Sequence, residues 1–473
     1  MNFNLTNLYI VGQKMKKSIV IALAMMGISA CSNQNVLTEE VATYSPPKNI
    51  IMVVGDGMGP AYITAYRYYR DNLNTASVEQ TVFDRNLVGA SSTYPALVSG
   101  YVTDSAAGAT ALSTGVKSYN GAIGVDVNKK PVETVLEFAK KQGKKTGVVV
   151  TSQINHATPA SYLSHNESRQ NYNEIADSYF DEKLNGLFKM DVMLGGGWKY
   201  FLRDDRQLVN EFKSSGFQYI DKYQQLETIT PNQPVIGLFA DVGLPWALDD
   251  EIPYRLSVMT KAAINQLDNE NGFFLLVEAS QVDWGGHNND IVAAMGEMDD
   301  LAKALEYFEQ YVKNNPDTLV VVTADHSTGG LTIGANGIYE WKPETLRIMK
   351  HTPKFIADKL TEAAITPEST RLLFNFDLTD EELTALRTVK EGGFEEAEDM
   401  GNPYKDKDAS KVNKELYKAI KHIADQRTNT GWTSSAHTAI DVPVFAFGSH
   451  SEEFIGLNNN IDIANKIFTL LGK

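Results

Sequence analysis

The chain of 473 residues contains one cysteine, Cys31, so no disulfide can form within it, and its stability must come from its core, bound ions or assembly. It is also short of basic residues. Against 59 Asp and Glu stand 43 Lys and Arg, a net charge of −16, which excludes a nucleic-acid backbone as the main partner, because that needs clustered cations. There is no internal repeat and no low-complexity tract. With 43% hydrophobic and 22% charged residues, the chain is not predominantly disordered. No apolar run reaches the roughly 20 residues that a spanning helix needs.

What is there begins with the N-terminus. Lys14, Lys16 and Lys17 precede the apolar run SIVIALAMMGISA, which ends at Cys31. Basic, apolar and small residues in that order read as an export signal. ISAC, Ile28 to Cys31, resembles a bacterial lipobox and implies cleavage before Cys31 and acylation of its thiol. The alternative for Cys31 is a buried free thiol. Residues 1–31 are thus expected to be a lipoprotein-type leader, 32–47 a polar tether ending in Pro46 and Pro47, and 48–473 the folded domain. The expected location is the periplasm, or the outer membrane through the lipid.

Beyond the tether, NIIMVVGDG, KTGVVVTS, DVMLGGG, FFLLVEAS, TLVVVTADH and VPVFAFG are short apolar runs, as expected of strands covered on both faces. Between several of them lie helical patterns. Ile291, Met295, Met298, Leu305, Phe308 and Val312 form one stripe over 288–313, and PVETVLEFAKKQGKK predicts a helix from Pro131 to Gly143. The alternation predicts an α/β fold with a doubly wound, mostly parallel sheet, and its ligands at the carboxyl ends of the strands. Residues 338–432 break the rhythm with charged helical segments. Thr379 and Glu382 fit a capping box there, and the segment is expected to be a largely helical inserted cap.

The strand tips carry the chemistry. Asp56, Asp283, His287, Asp325, His326 and His437 are each weak signals: Asp56 could cap a helix, Asp283 and His287 could share a turn, and a lone histidine is usually structural. Together they form an N/O donor set suited to zinc, and Glu278 and Thr158 add the hard oxygens that magnesium prefers. In TDSAAGATALSTG, Ser105 follows Asp104 at a helix start. It is either a cap or a nucleophile, and as a nucleophile it needs a base, a metal or a positive helix end. No Ser-His-Asp arrangement is apparent nearby, which leaves metal activation.

GDGMG, TDSAAGATALSTG, HATPA, VEASQVDWGGH, TADHSTGG and AHTAIDVPVFAFG occur in the order found in alkaline phosphatases, and from residue 50 to the last helix the chain resembles that family, least so in the cap. The resemblance implies a phosphomonoesterase in which Ser105 becomes a phosphoserine. One zinc would be held by Asp283, His287 and His437, a second by Asp56, Asp325 and His326, and a magnesium by Asp56, Thr158 and Glu278. Arg169 would clamp phosphate; read alone it is a surface ion pair. His156 and Trp284 stand where some relatives have Asp and Lys, with His156 expected behind the third ion, whose identity as magnesium or zinc stays open. Ser327 stands where Glu is common. His165, His351, His422 and His450 match no metal motif. The resemblance also suggests a homodimer. Two other readings remain: a phosphodiesterase or sulfatase-like hydrolase, and a non-catalytic zinc- or phosphate-binding lipoprotein.

Overall fold

The computed structural model describes residues 45–392 and 411–473. The leader, most of the tether and part of the cap lie outside the described residues. Pro46–Lys473 form one compact unit.

Ten strands form the main sheet: β1 Asn49–Gly55, β2 Leu87–Ser92, β3 Lys145–Gln153, β4 Val192–Gly196, β5 Gln218–Ile220, β6 Val235–Leu238, β7 Phe273–Ala279, β8 Thr318–Thr323, β9 Val442–Gly448 and β10 Gly456–Asn459. Their order is β10-β2-β9-β8-β1-β7-β3-β4-β6-β5. Only β9 runs against its neighbours, pairing antiparallel with both β8 and β2. β1 at the centre shows why the sheet is covered twice. Ile51 and Val53 join one apolar cluster, and Ile50, Met52 and Val54 join the other, since successive side chains of a strand point to opposite faces.

The six apolar runs are strands, and the α/β expectation holds. Four strands are not among these runs: β2, β5, β6 and β10, although β6 lies in the apolar stretch PVIGLFA. Two of these, β5 and β10, are short edges. The long amphipathic helix is Ile291–Asn314, starting after the expected 288 because Asp290 takes the free Val292 and Ala293 N–H groups. Pro131 does not open a helix. It is held in a β-bridge with Val125, and the helix Val135–Lys141 starts behind a Thr134–Glu137 capping box.

The cap is helical, as expected: Glu344–Ile348, Pro353–Glu362, Pro367–Phe374, Asp380–Lys390 and Lys411–Thr428. Thr379 caps the fourth of these through the Glu382 box. The strands Thr332–Ile333 and Thr430–Gly431 pair and close its base.

Candidate metal and nucleophile site

Strand register gathers the carboxylates. In the sheet Val54 lies opposite both Glu278 and Thr323, so Asp56, Glu278 and Asp325 emerge side by side at the carboxyl end of β1, β7 and β8. Asp325 Oδ1 accepts the Gly57 and His326 N–H groups. Asp283 and His287 lie on the short helix Gln281–His287 that follows β7. His437 comes from the other end of the cap, in a two-residue strand that pairs Thr328 with His437.

Among the described residues three groups of donors result, each with its ligand atoms within 4.8 Å of one another: Asp283, His287 and His437; Asp56, Asp325 and His326; Asp56, His156 and Glu278. His156, expected behind the third group, stands among its donor atoms. Thr158 is buried in the first turn of the helix Ala157–Leu163, and its hydroxyl has no hydrogen-bond partner among the described residues. Trp284 packs edge-on to His156 at 6.1 Å between ring centres. Ser327 is buried beside the Gly59 backbone.

The hydrogen bonds fix which imidazole nitrogen faces the centre. His287 Nδ1 donates to Ser435 O at 2.6 Å and His437 Nδ1 to Thr103 O at 2.9 Å. Thr328 Oγ1 donates to Asp283 Oδ1 at 2.5 Å and so accepts from His326 Nδ1 at 3.2 Å. Every Nε2 is left as a lone pair, the tautomer that binds metals. His287 and His437 then aim two lone pairs at each other across 3.0 Å, which is repulsive without a cation between them.

The carboxylates have the same need. Asp56 Oδ1 and Oδ2, Asp283 Oδ2, Glu278 Oε1 and Asp325 Oδ2 are buried without a hydrogen-bond partner among the described residues. Burial, and then repulsion from Asp325 and Asp283, raises the Asp56 carboxyl well above the carboxylate range. Burial raises Asp325 likewise and pushes Glu278 up to about 7. His326 is pushed well below its usual value by burial and by His437. Unpaired buried carboxylates beside neutral imidazoles are costly unless a cation compensates them. The donor set therefore fits divalent ions.

Ser105 occupies the first turn of the helix Ser105–Thr114, fully buried. The cap is its neighbour: Asp104 Oδ1 accepts the Ala107 N–H at 3.0 Å. This frees the Ser105 hydroxyl, which lies 3.2 Å from His326 Nε2. The family resemblance implied Ser105 beside the ion of Asp56, Asp325 and His326; its direct contact with the His326 imidazole joins residues 221 positions apart. Gly108 lets the helix approach, since a Cβ there would stand 3.0 Å from the Asp325 Cβ. Arg169 Nη1 donates to Asp104 Oδ2 at 3.1 Å and Nη2 to His156 Nε2 at 3.3 Å. It is not a surface ion pair: its side chain is 13% exposed.

Thr328 was missed by the sequence reading. It joins Asp283 to His326, and its signal lay within TADHSTGG, next to the histidine. The four other histidines take structural partners where these are described: His165 bonds Gly124 O and Glu137, and His351 bonds Asp249 and stacks on Phe355.

A family model described as alkaline phosphatase matches residues 47–472. The chain belongs to the alkaline phosphatase family. Alkaline phosphatase 3 of Bacillus subtilis (strain 168) is 47% identical over 427 residues, covering 90% of this chain and 89% of that protein. The repressible alkaline phosphatase of Saccharomyces cerevisiae is 31% identical, across 88% of this chain and 78% of its own. Among solved structures, a cold-active alkaline phosphatase from Shewanella sp. matches with 48% identity and a TM-score of 0.81, over 90% of this chain and 100% of that one. As an alkaline phosphatase, the chain is a hydrolase of phosphate monoesters with metal-binding residue groups.

Proposed function

We propose that this alkaline phosphatase works through a phosphoserine on Ser105, with two zinc ions and one magnesium ion per subunit. Asp283, His287 and His437 would hold one zinc, and Asp56, Asp325 and His326 the other. Asp56, Glu278 and Thr158 would hold magnesium; His156 among these donors makes zinc the alternative occupant there. Bound divalent ions supply Lewis acidity, lowering the proton affinity of a serine hydroxyl or a water and neutralising phosphate charge. Support for the reading comes chiefly from the Ser105 hydroxyl, free of capping duty at a helix N-terminus and 3.2 Å from His326 Nε2.

In the first step Ser105 Oγ forms a bond to phosphorus and the alcohol leaves; in the second, water breaks the phosphoserine bond and releases inorganic phosphate. The positive end of the helix Ser105–Thr114 stabilises the anionic serine oxygen and the phosphate. Arg169, held in place by Asp104, offers its remaining guanidinium N–H groups to phosphate oxygens. Acid quenching with a labelled phosphomonoester should trap phosphoenzyme in the wild type and none in Ser105→Ala. Full turnover by that variant would refute the covalent route.

A diesterase or sulfatase-like specificity is disfavoured by Arg169 and the third group, both suited to a terminal phosphate dianion. Comparing rates on mono- and bis-aryl phosphates decides. The leader ending at Cys31, the tether 32–47 and the catalytic part 48–473 belong to this proposal: an exported enzyme, periplasmic or lipid-anchored to the outer membrane. No helix among the described residues is long and apolar enough to cross a membrane. Cys31→Ser should move the enzyme from the detergent phase to the aqueous phase. We further propose a homodimer that the 338–432 segment helps to clasp, and size exclusion of a variant lacking it should show monomer.

A further inference from the structure

The last cap helix, Lys411–Thr428, reaches the segments that carry His287 and His437. Tyr417, Lys421 and Asp425 lie four residues apart, one stripe along one face of the helix. Each contacts a residue close to a ligand or one that braces a ligand. Tyr417 Oη donates to Asp290 Oδ2 at 2.9 Å. Lys421 Nζ donates to the Asn288 carbonyl, and Asp425 Oδ1 accepts from Trp432 Nε1 at 3.2 Å.

Asn288–Asp290 are the residues directly after His287. Their N–H groups bond back to Trp284, Gly286 and Gly285 carbonyls, which closes the end of the helix bearing Asp283 and His287. Asn289 adopts a left-handed conformation, φ 49°, and donates to Ser434 O at 2.8 Å. On the other side, Trp432 covers Gly329, where a Cβ would stand 2.7 Å from the indole and 2.8 Å from Gly286 O. Gly329 O takes the Thr433 and Ser434 N–H groups, and the next carbonyl, Ser435 O, holds His287 Nδ1. The helix face therefore grips both walls of the donor group that contains His287 and His437, and none of its three residues is itself a donor in that group.

We infer that Tyr417, Lys421 and Asp425 are positioning residues that hold the Asp283–His287–His437 group ready to coordinate, so that the inserted cap governs retention of one metal ion of the set. The inference rests on the proposed metal assignment. Partners that orient ligands from outside the coordination sphere typically alter metal affinity about 10–100-fold.

The test is chelator-driven zinc release from the purified holoenzyme, followed with a colorimetric zinc dye, together with total metal content and the melting temperature of the metal-stripped protein. In Tyr417→Phe and Lys421→Met, one zinc per subunit should leave about tenfold faster, with the second released at the wild-type rate and the stripped protein melting as wild type does. Ile420→Val, on the neighbouring buried face, should leave both release rates unchanged. Equal release from wild type and both variants would overturn the inference while leaving the metal assignment intact. Both zincs loosening together with a lowered melting temperature in the stripped protein would also overturn it, since that is a general loss of structure. Wild-type enzyme holding no zinc would overturn the assignment, and this inference with it.

Discussion

At Asp104 one carboxylate serves three donors: Ala107 N, Gly121 N and Arg169 Nη1. It caps the helix, fastens the turn at Gly121 and holds the arginine beside Ser105. Asp104→Ala should lower stability by about 1 kcal/mol through the lost cap, and raise KM because Arg169 loses its tether. The measurements are thermal unfolding and steady-state kinetics. Arg169→Ala removes charge-assisted hydrogen bonds worth roughly 1.5–3 kcal/mol. The inhibition constant for inorganic phosphate should then rise about 10–100-fold. An unchanged inhibition constant would remove Arg169 from the phosphate site.

Among the elements, the helix Val135–Lys141 carries an acid-sensitive lock away from the donor groups. Burial raises the Glu137 carboxyl, but the hydrogen bond and charge of His165 and the charge of Lys189 outweigh burial and bring it down to about 2. A carboxyl lowered on folding binds fewer protons than in the unfolded chain, so its stabilisation is complete above the ordinary value of 4.5 and is lost as pH falls from there to about 2. The shift corresponds to about 3 kcal/mol at most. Wild-type stability should drop across that acidic window, measured by denaturant titration at stepped pH. Glu137→Gln should be weaker at neutral pH and flatter in acid.

For the whole molecule, the buried charge at the sheet's carboxyl edge is the largest conditional term. Ions bound at a hundred times their dissociation constant stabilise the folded state by about 2.7 kcal/mol each. Chelation should therefore abolish activity and lower the melting temperature together, and zinc with magnesium should restore both. A chelated protein that melts with the holoenzyme would mean that the ions do not sit among these carboxylates. The single cysteine makes this ion term more consequential, because no disulfide within the chain offsets its loss.

Local pattern made the core strands legible. Runs such as IIMVV and LVVVT are apolar on both faces, and only a sheet covered twice accepts them. The motif order pointed to the tips that hold Asp56, Glu278, Asp325 and His326. Less legible were elements set by their surroundings: the short edge strands β5 and β10, and the helix that Thr134 rather than Pro131 begins. His156 was visible as a residue but not as a donor, since its position depends on how the helix Ala157–Leu163 meets β1 and β7.

The sequence by itself determined most of the core strands, the long helices and which chemistry-bearing side chains sit at their ends, because periodicity and capping are interactions over a few residues. Only the tertiary structure decided which of those ends meet. The contact of Ser105 with His326, the Thr328 link between Asp283 and His326, and the grip of Tyr417, Lys421 and Asp425 on the segments beside His287 and His437 follow from strand order and register. Those are fixed by burial of the entire sheet, which no local spacing encodes.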